Sequence, residues 1–521
     1  MKSMMMVLAG ACALAVGAAV KPASIFADKM VLQRDKPVRV WGTADAGEDV
    51  CVSFGGQRVA TKAGADGAWR VELPAFAASK EGRALAVKGK GNGNEVVFND
   101  VLVGEVWFVC GQSNTELPLW GSNPHFRDAY GASTAQMQRK PCVRFAYTSN
   151  YRWSVEPKKA FAQQVQWKEF NKENLMGGHS FSAMGVYYAL ELYSALDIPV
   201  AVIGSYWGGT RIEPWTPRCG FESVPSCKAE ADWKPLDAAA AQADAKFRFH
   251  KSPHQQPSVL WNEQVAPWAP FQIKGFIWYQ GCSNAGEYAR YCDMMHALYN
   301  GWAKKFENPG LKLYFVQLAP WGYADIAKIQ EAQAKFDAEE PNAGMAVIND
   351  VGNLADIHPN NKLIVGKRLA LHALRRDYGF ADIVDNSPTL KAWKVVDGKF
   401  VLSFNDANGW YLYNPDWAVS NGFEIAGADG KWVPAKIDNL AVKSQKVYQS
   451  NGVVKGADLV VAADGVVEPK KLRYLYSRPW FGALYSDAGL PLGAFHIGDL
   501  DIEEIAKRKA AEGTMKPIAD Y

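Results

Sequence analysis

At 521 residues the chain is longer than a single hydrophobic core holds, so two or three domains are expected. A hydrophobic content of 48% with 21% charged residues excludes wholesale disorder, and a net charge of +3 without a long basic run leaves no footprint for nucleic acid. The 19 tryptophans supply flat apolar faces of the kind that stack on sugars, although tryptophan serves cores and interfaces more often.

Met4 to Val20 is an uncharged apolar run flanked by Lys2 and by Lys21-Pro22. Its position and length predict a signal peptide over residues 1–21 and a secreted or periplasmic mature chain with no transmembrane segment. A lipoprotein reading at Cys12 is disfavoured because the apolar run before it is too short. Seven further cysteines include Cys219/Cys227 and Cys282/Cys292, close enough in sequence for local bridges. None has CxxC spacing, so no structural zinc site is expected.

Residues 22–103 read as a small β domain. Val50, Val52 and Phe54 alternate with Cys51 and Ser53, and Trp69, Val71 and Leu73 alternate with Arg70 and Glu72. From residue 104 to about 380, strands and helices alternate. Val106 to Cys110 is a buried-type strand, and Phe181, Met184, Tyr188 and Leu192 keep helical spacing. Val200 to Ile203, Gly275 to Tyr279, Leu313 to Leu318 and Gly344 to Ile348 are further strands. Glu287 to Phe306 is expected as a helix, and Asn360-Asn361 as the cap of another that runs through Leu369. This order predicts a mainly parallel sheet covered on both faces, with its site in the loops at the strand C-termini. Short alternating runs return over 385–497, such as Phe400 to Phe404 and Asp458 to Ala462, predicting a second β domain. A charged tail, 498–521, follows.

Four loops follow apolar strands: Gly111-Gln112-Ser113-Asn114, Gly208-Gly209-Thr210, Gly281-Cys282-Ser283-Asn284 and Asp356-Ile357-His358-Pro359. Gathered at one sheet edge, they bring a hydroxyl, glycine amides, a carboxamide and an imidazole beside a carboxylate. Those are the parts of an acyl-transfer site. A serine hydroxyl needs a base to take its proton, a histidine does this near neutral pH, and amide donors stabilise the oxyanion. Taken singly, each has a plainer reading as turn former, helix cap or satisfied polar residue; their common position after strands is what joins them.

In order along the chain, these blocks resemble the SGNH-hydrolase superfamily, and within it the sialate O-acetylesterase family. The resemblance begins at Met30 to Gly42 with Gln33-Arg34, then runs through Gly104-Glu105-Val106-Trp107 into the serine block. It continues at Trp207 to Trp215, Trp278-Tyr279-Gln280-Gly281, Ile357-His358-Pro359 with Lys362, Arg473-Tyr474 and Gly489-Leu490-Pro491. It implies a flavodoxin-like three-layer SGNH domain with flanking β-sandwich-type domains. The activity implied is removal of O-acetyl groups from sialic acid or related glycans, without metal or organic cofactor. Carried over by position, Ser113 is the nucleophile and gives one oxyanion amide. Gly208 or Gly209 gives a second, Asn284 its side-chain amide, and His358 is the general base. Asp356 is expected as the carboxylate of His358, with Asp350 as the alternative; the common arrangement has the aspartate one residue earlier, where Ala355 stands. Gln112, Arg211 and Gln280 are candidates for sugar contacts, with a structural ion pair of Arg211 and Glu213 as the alternative.

Two positions depart from the family pattern. Thr115 replaces a methionine, and Cys282 replaces the glutamate of the third block, removing a charge beside the site. Cys282 is not expected as a nucleophile, because Ser113 keeps its own context. The same machinery would serve an acetyl esterase for xylan or another plant or host polysaccharide, and the loss of that glutamate leaves open a weakened or inactive enzyme or a non-catalytic glycan-binding descendant.

Overall fold

The computed structural model describes residues 20–90, 94–119, 128, 140–148, 151–176, 181–243, 252–321, 326–352, 356–413, 422–442, 450–476 and 484–499. The expected signal segment up to residue 19, Cys12 within it, Ala355 and the tail beyond residue 499 lie outside them.

The N-terminal region folds as its alternation requires. Strand β1 (Pro37–Thr43) pairs antiparallel with β3 (Ala68–Ala75), whose Trp69, Val71 and Leu73 are buried while Arg70 and Glu72 face out. Strand β2 (Asp49–Phe54) pairs with β4 (Ser79–Lys88), and β4 pairs with the first part of β5 (Glu95–Gly111). This last strand is 17 residues long and continues without a break into the central sheet. The expected boundary at residue 103 therefore falls inside a strand shared by two sheets. At that joint the buried Glu105 carboxylate accepts from Gln33 Nε2 at 3.0 Å and from Arg34, and Gln33 Oε1 accepts the Val106 N–H at 2.9 Å. The Gln33-Arg34 and Gly104-Glu105 blocks are thus two sides of one lock.

In the central sheet β5 lies between β8 (Val200–Tyr206) and β9 (Gly275–Tyr279). Strand β6 (Val143–Tyr147) and the antiparallel edge β7 (Trp167–Glu169) lie beyond β8. Strands β10 (Lys312–Val316) and β11 (Ala343–Ala346) lie beyond β9. Every residue of β8 and β9 is buried, as expected of parallel strands covered on both sides. Trp107 packs edge-on against Tyr188 of helix α1 (Ala183–Leu196) at 5.2 Å, and Phe108 against Trp302 of α2 (Tyr288–Lys305) at 5.3 Å. Consecutive strand residues point to opposite faces, so these helices cover opposite faces of the sheet. Helix α3 (Ile326–Glu339) precedes β11, and α4 (Lys362–Asp377) is capped by Asn361, whose side chain accepts the Ile364 N–H. It runs two turns beyond Leu369, through a buried stripe of Leu369, Ala370, Ala373 and Leu374.

Among the described residues of 389–497 there are three four-stranded sheets over a second core that includes Phe400, Leu402, Trp410, Phe423 and Leu472. The buried Arg473 pairs with Glu424 at 2.8 Å and lies over the Trp432 ring, so its block is a packing element of this region. All seven cysteines among the described residues are free, so neither local bridge is formed. Among the described residues no helix is long and apolar enough to cross a membrane.

Candidate active site

Register assembles the site. Tyr206 and Tyr279 both pair with Gly111, so β5, β8 and β9 end at one level and their following loops leave side by side. Gly111 has φ +150°, and a Cβ there would come within 2.4 Å of Thr115 Oγ1 and Tyr279 O, so only glycine lets the strand turn here. One helical turn, Ser113–Glu116, follows. Thr115 is fully buried and its hydroxyl donates to Tyr279 O at 2.9 Å, which ties this turn to the end of β9.

Ser113 Oγ lies 2.9 Å from His358 Nε2, and His358 Nδ1 lies 3.0 Å from Asp356 Oδ1. The same Asp356 oxygen accepts the His358 backbone N–H at 2.9 Å. An ionised carboxylate only accepts, so the proton sits on Nδ1, and Nε2 of the neutral ring is left to accept from the serine hydroxyl. Burial lowers the His358 pKa below its ordinary 6.5, against the opposing pull of Asp356 and a smaller one from Glu116. Asp350 is engaged elsewhere: it pairs with Arg368 at 2.6 and 2.7 Å and accepts from Tyr485.

The other expected residues divide into two groups. Gly208 lies against the Ser113 turn, since a Cβ on it would be 3.3 Å from Ser113 Cβ. Its N–H donates to Glu116 Oε2 at 2.8 Å. Gly209 O accepts from Gln255 and Ser283, while the Gly209 and Ser113 N–H groups have no acceptor among the described residues. Asn284 is buried. Its Oδ1 accepts from Gln280 Nε2 and the Ile212 N–H, and its Nδ2 gives one hydrogen to Glu213. Gln112 Oε1 accepts the Gly281 N–H.

Gln280 and Arg211 are placed differently from the sugar contacts expected of them. Gln280 is fully buried, donates to Thr210 O and Asn284, and accepts from Tyr291, so it orients Asn284 from behind. Arg211 spends its guanidinium on Glu213, at 2.6 Å, and on Glu287. The structural ion pair with Glu213 is therefore the arrangement found.

Sequence reasoning missed three groups. Asn114 Nδ2 donates to Ile357 O at 2.9 Å and its Oδ1 accepts from Lys362 Nζ at 2.7 Å. Lys362 is fully buried, which lowers its pKa to about 7. Glu116 accepts from both Gly208 and Tyr151. Lys362 and Asn114 stood inside recognisable blocks, but a sequence does not reveal that a lysine is buried. Cys282 lies near Lys362, and burial pushes its thiol up to about 12, so it is protonated at neutral pH. Among the described residues, metal-ligating side chains gather at Cys292, His296 and Glu339, on α2 and the end of α3, away from these loops.

Comparison with known proteins gives the family. Residues 103–375 match the family described as carbohydrate esterase, sialic acid-specific acetylesterase. A sialate O-acetylesterase of Rattus norvegicus is 27% identical over 474 residues, covering 81% of this chain and 85% of its own. That of Homo sapiens is 26% identical over 464 residues, covering 81% and 83%. The crystal structure of a carbohydrate acetylesterase from Xanthomonas citri superposes with a TM-score of 0.76 and 31% identity, over 92% of this chain and 100% of that one. This chain is a carboxylic ester hydrolase and belongs to the carbohydrate esterase family of sialic acid-specific acetylesterases.

Proposed function

We propose that the protein is a serine esterase that removes O-acetyl groups from glycans through Ser113, His358 and Asp356. Residues 104–380 are read as a flavodoxin-like SGNH domain, and the apolar N-terminal run as the signal that exports it. The observation carrying the proposal is the continuous line of hydrogen bonds from Ser113 Oγ through His358 to Asp356.

His358 Nε2 takes the hydroxyl proton as Ser113 Oγ bonds to the acetyl carbonyl carbon. The carbonyl oxygen becomes an oxyanion facing the open N–H groups of Ser113 and Gly209 and the second amide hydrogen of Asn284. Collapse breaks the bond to the sugar oxygen, which leaves with the proton from His358. Water, deprotonated by the same ring, then attacks the acetyl-enzyme and releases acetate, restoring Ser113. Asp356 accepts from Nδ1 throughout and offsets the charge of the imidazolium. Retention of all these groups supports an enzyme over a glycan-binding descendant, and the protonated Cys282 thiol has no step to perform. Labelling by a serine-reactive phosphonate tests the assignment: the adduct is expected on the Ser113 peptide and absent in His358→Ala. Labelling elsewhere, or none, rejects it.

A further inference from the structure

We propose that Glu116 is a specificity-determining residue that makes this esterase select uncharged acetylated sugars over anionic ones such as acetylated sialic acid. The inference rests on the reading of Ser113 as nucleophile and adds the class of substrate.

The half-buried Glu116 closes the same helical turn that Ser113 opens. One oxygen takes the Gly208 N–H at 2.8 Å and the other takes the Tyr151 hydroxyl. A single point, the Cβ position of Gly208, lies 3.1 Å from Glu116 Oε2 and 3.3 Å from Ser113 Cβ, so the anion and the reacting serine are close neighbours. Asp356 adds a second negative charge behind His358. The cation in these loops that could receive a sugar carboxylate, Arg211, is already paired with two carboxylates, Glu213 and Glu287. His254, stacked on Trp207 at 4.5 Å beside Gly208, is kept neutral by burial. Lys362 lies behind the site with its Nζ on Asn114. Among the described residues of these loops, the carboxylates of Glu116 and Asp356 thus stand near Ser113 while the Arg211 guanidinium is already paired. A carboxylate brought to roughly 7 Å from another at the edge of a protein loses about tenfold or more in binding, whereas a neutral sugar hydroxyl can donate to the same Glu116.

The test measures kcat/KM of the full protein on a neutral ester, an O-acetylated xylo-oligosaccharide, and on 9-O-acetyl sialic acid at low ionic strength. The neutral ester is expected to be preferred by about tenfold or more. Glu116→Gln keeps the bond from the Gly208 N–H on its amide oxygen, turns the Tyr151 contact round so that its amide nitrogen donates to the hydroxyl oxygen, and removes the charge; it is expected to narrow the ratio by roughly tenfold, chiefly by gain on the anionic ester. Added salt should narrow the wild-type ratio and leave the variant's ratio unmoved. Because the Glu116 charge raises the His358 pKa, the acidic limb of the variant's pH profile should also move to lower pH, which a merely structural role would not cause. Tyr151→Phe retains the charge and is expected to keep the wild-type ratio. Wild-type preference for the sialate ester, or a ratio unchanged in Glu116→Gln, overturns the proposal. Persistence of both activities in Ser113→Ala would instead overturn the assignment of the nucleophile.

Discussion

Lys362 donates to Asn114 Oδ1 at 2.7 Å inside the protein, and the other end of that carboxamide donates to Ile357 O, one residue before His358. The Ser113 turn and the His358 loop are thereby fastened to each other through one side chain anchored by a buried lysine. Asn114→Ala removes the fastening while leaving the Ser113 and His358 side chains themselves unaltered. A fall in kcat of roughly ten- to hundredfold with little change in KM is expected, since small misplacement of reacting groups is costly. Steady-state kinetics on an acetyl ester checks this, and an unchanged kcat contradicts it.

The same lysine leaves a signature in stability. Its pKa is about 7 in the folded chain and near the ordinary lysine value when unfolded. Between about pH 7 and pH 10 the unfolded state therefore binds more protons, and stability contributed at this site rises with pH across that window. Lys362→Met should be more stable than wild type at about pH 6.5, by on the order of 3 kcal/mol, with the difference shrinking towards pH 10. Urea unfolding of both proteins at the two pH values measures the difference. A gap that does not change with pH contradicts the burial of a charged amine here.

Asp356 and Asp350 should separate cleanly. Asp356→Asn replaces the acceptor of the Nδ1 proton, so kcat is expected to fall by about a hundredfold or more with little loss of stability. Asp350→Asn instead strips the half of a nearly buried ion pair that holds Arg368, and is expected to destabilise the chain by roughly 3 kcal/mol. For the wild type, the acidic limb of kcat/KM should have its midpoint below 6.5, because burial lowers the His358 pKa and only the neutral ring accepts the serine proton. Thermal melts and pH–rate profiles of the variants decide; a midpoint above 6.5, or a larger kcat loss at Asp350, contradicts the arrangement.

Cys282 should be chemically quiet. With its thiol pushed up to about 12, the thiolate is scarce at neutral pH. Iodoacetamide is expected to leave activity intact, and Cys282→Ser to keep kcat/KM within about threefold, since removing a thiol that makes no bond to the reacting atoms costs little. Stoichiometric inactivation with modification of Cys282 would contradict this.

The sheet and its loops were legible because Val106 to Cys110 and Gly275 to Tyr279 are continuous apolar runs followed within two residues by a glycine. Val200 to Tyr206 and Gly275 to Tyr279 are buried along their whole length, and the register that aligns both with Gly111 follows from parallel pairing. What the sequence concealed was how polar groups share one another. Gln280 and Arg211 looked available for substrate, yet both are spent holding neighbours, because a buried amide or a guanidinium between two carboxylates must be satisfied internally. Glu116 and Lys362 escaped notice for the converse reason: their hydrogen-bond partners come from loops far apart in the chain. That one strand runs through the boundary placed at residue 103 is a continuity that alternation alone does not reveal.

The central claim is that Ser113 carries the reaction. Acetate release from an O-acetylated glycan by Ser113→Ala is the most direct measurement, made beside wild type with folding verified by an unchanged melting profile. The account predicts a fall in kcat of about a thousandfold or more. Equal rates of release from the two proteins would contradict it.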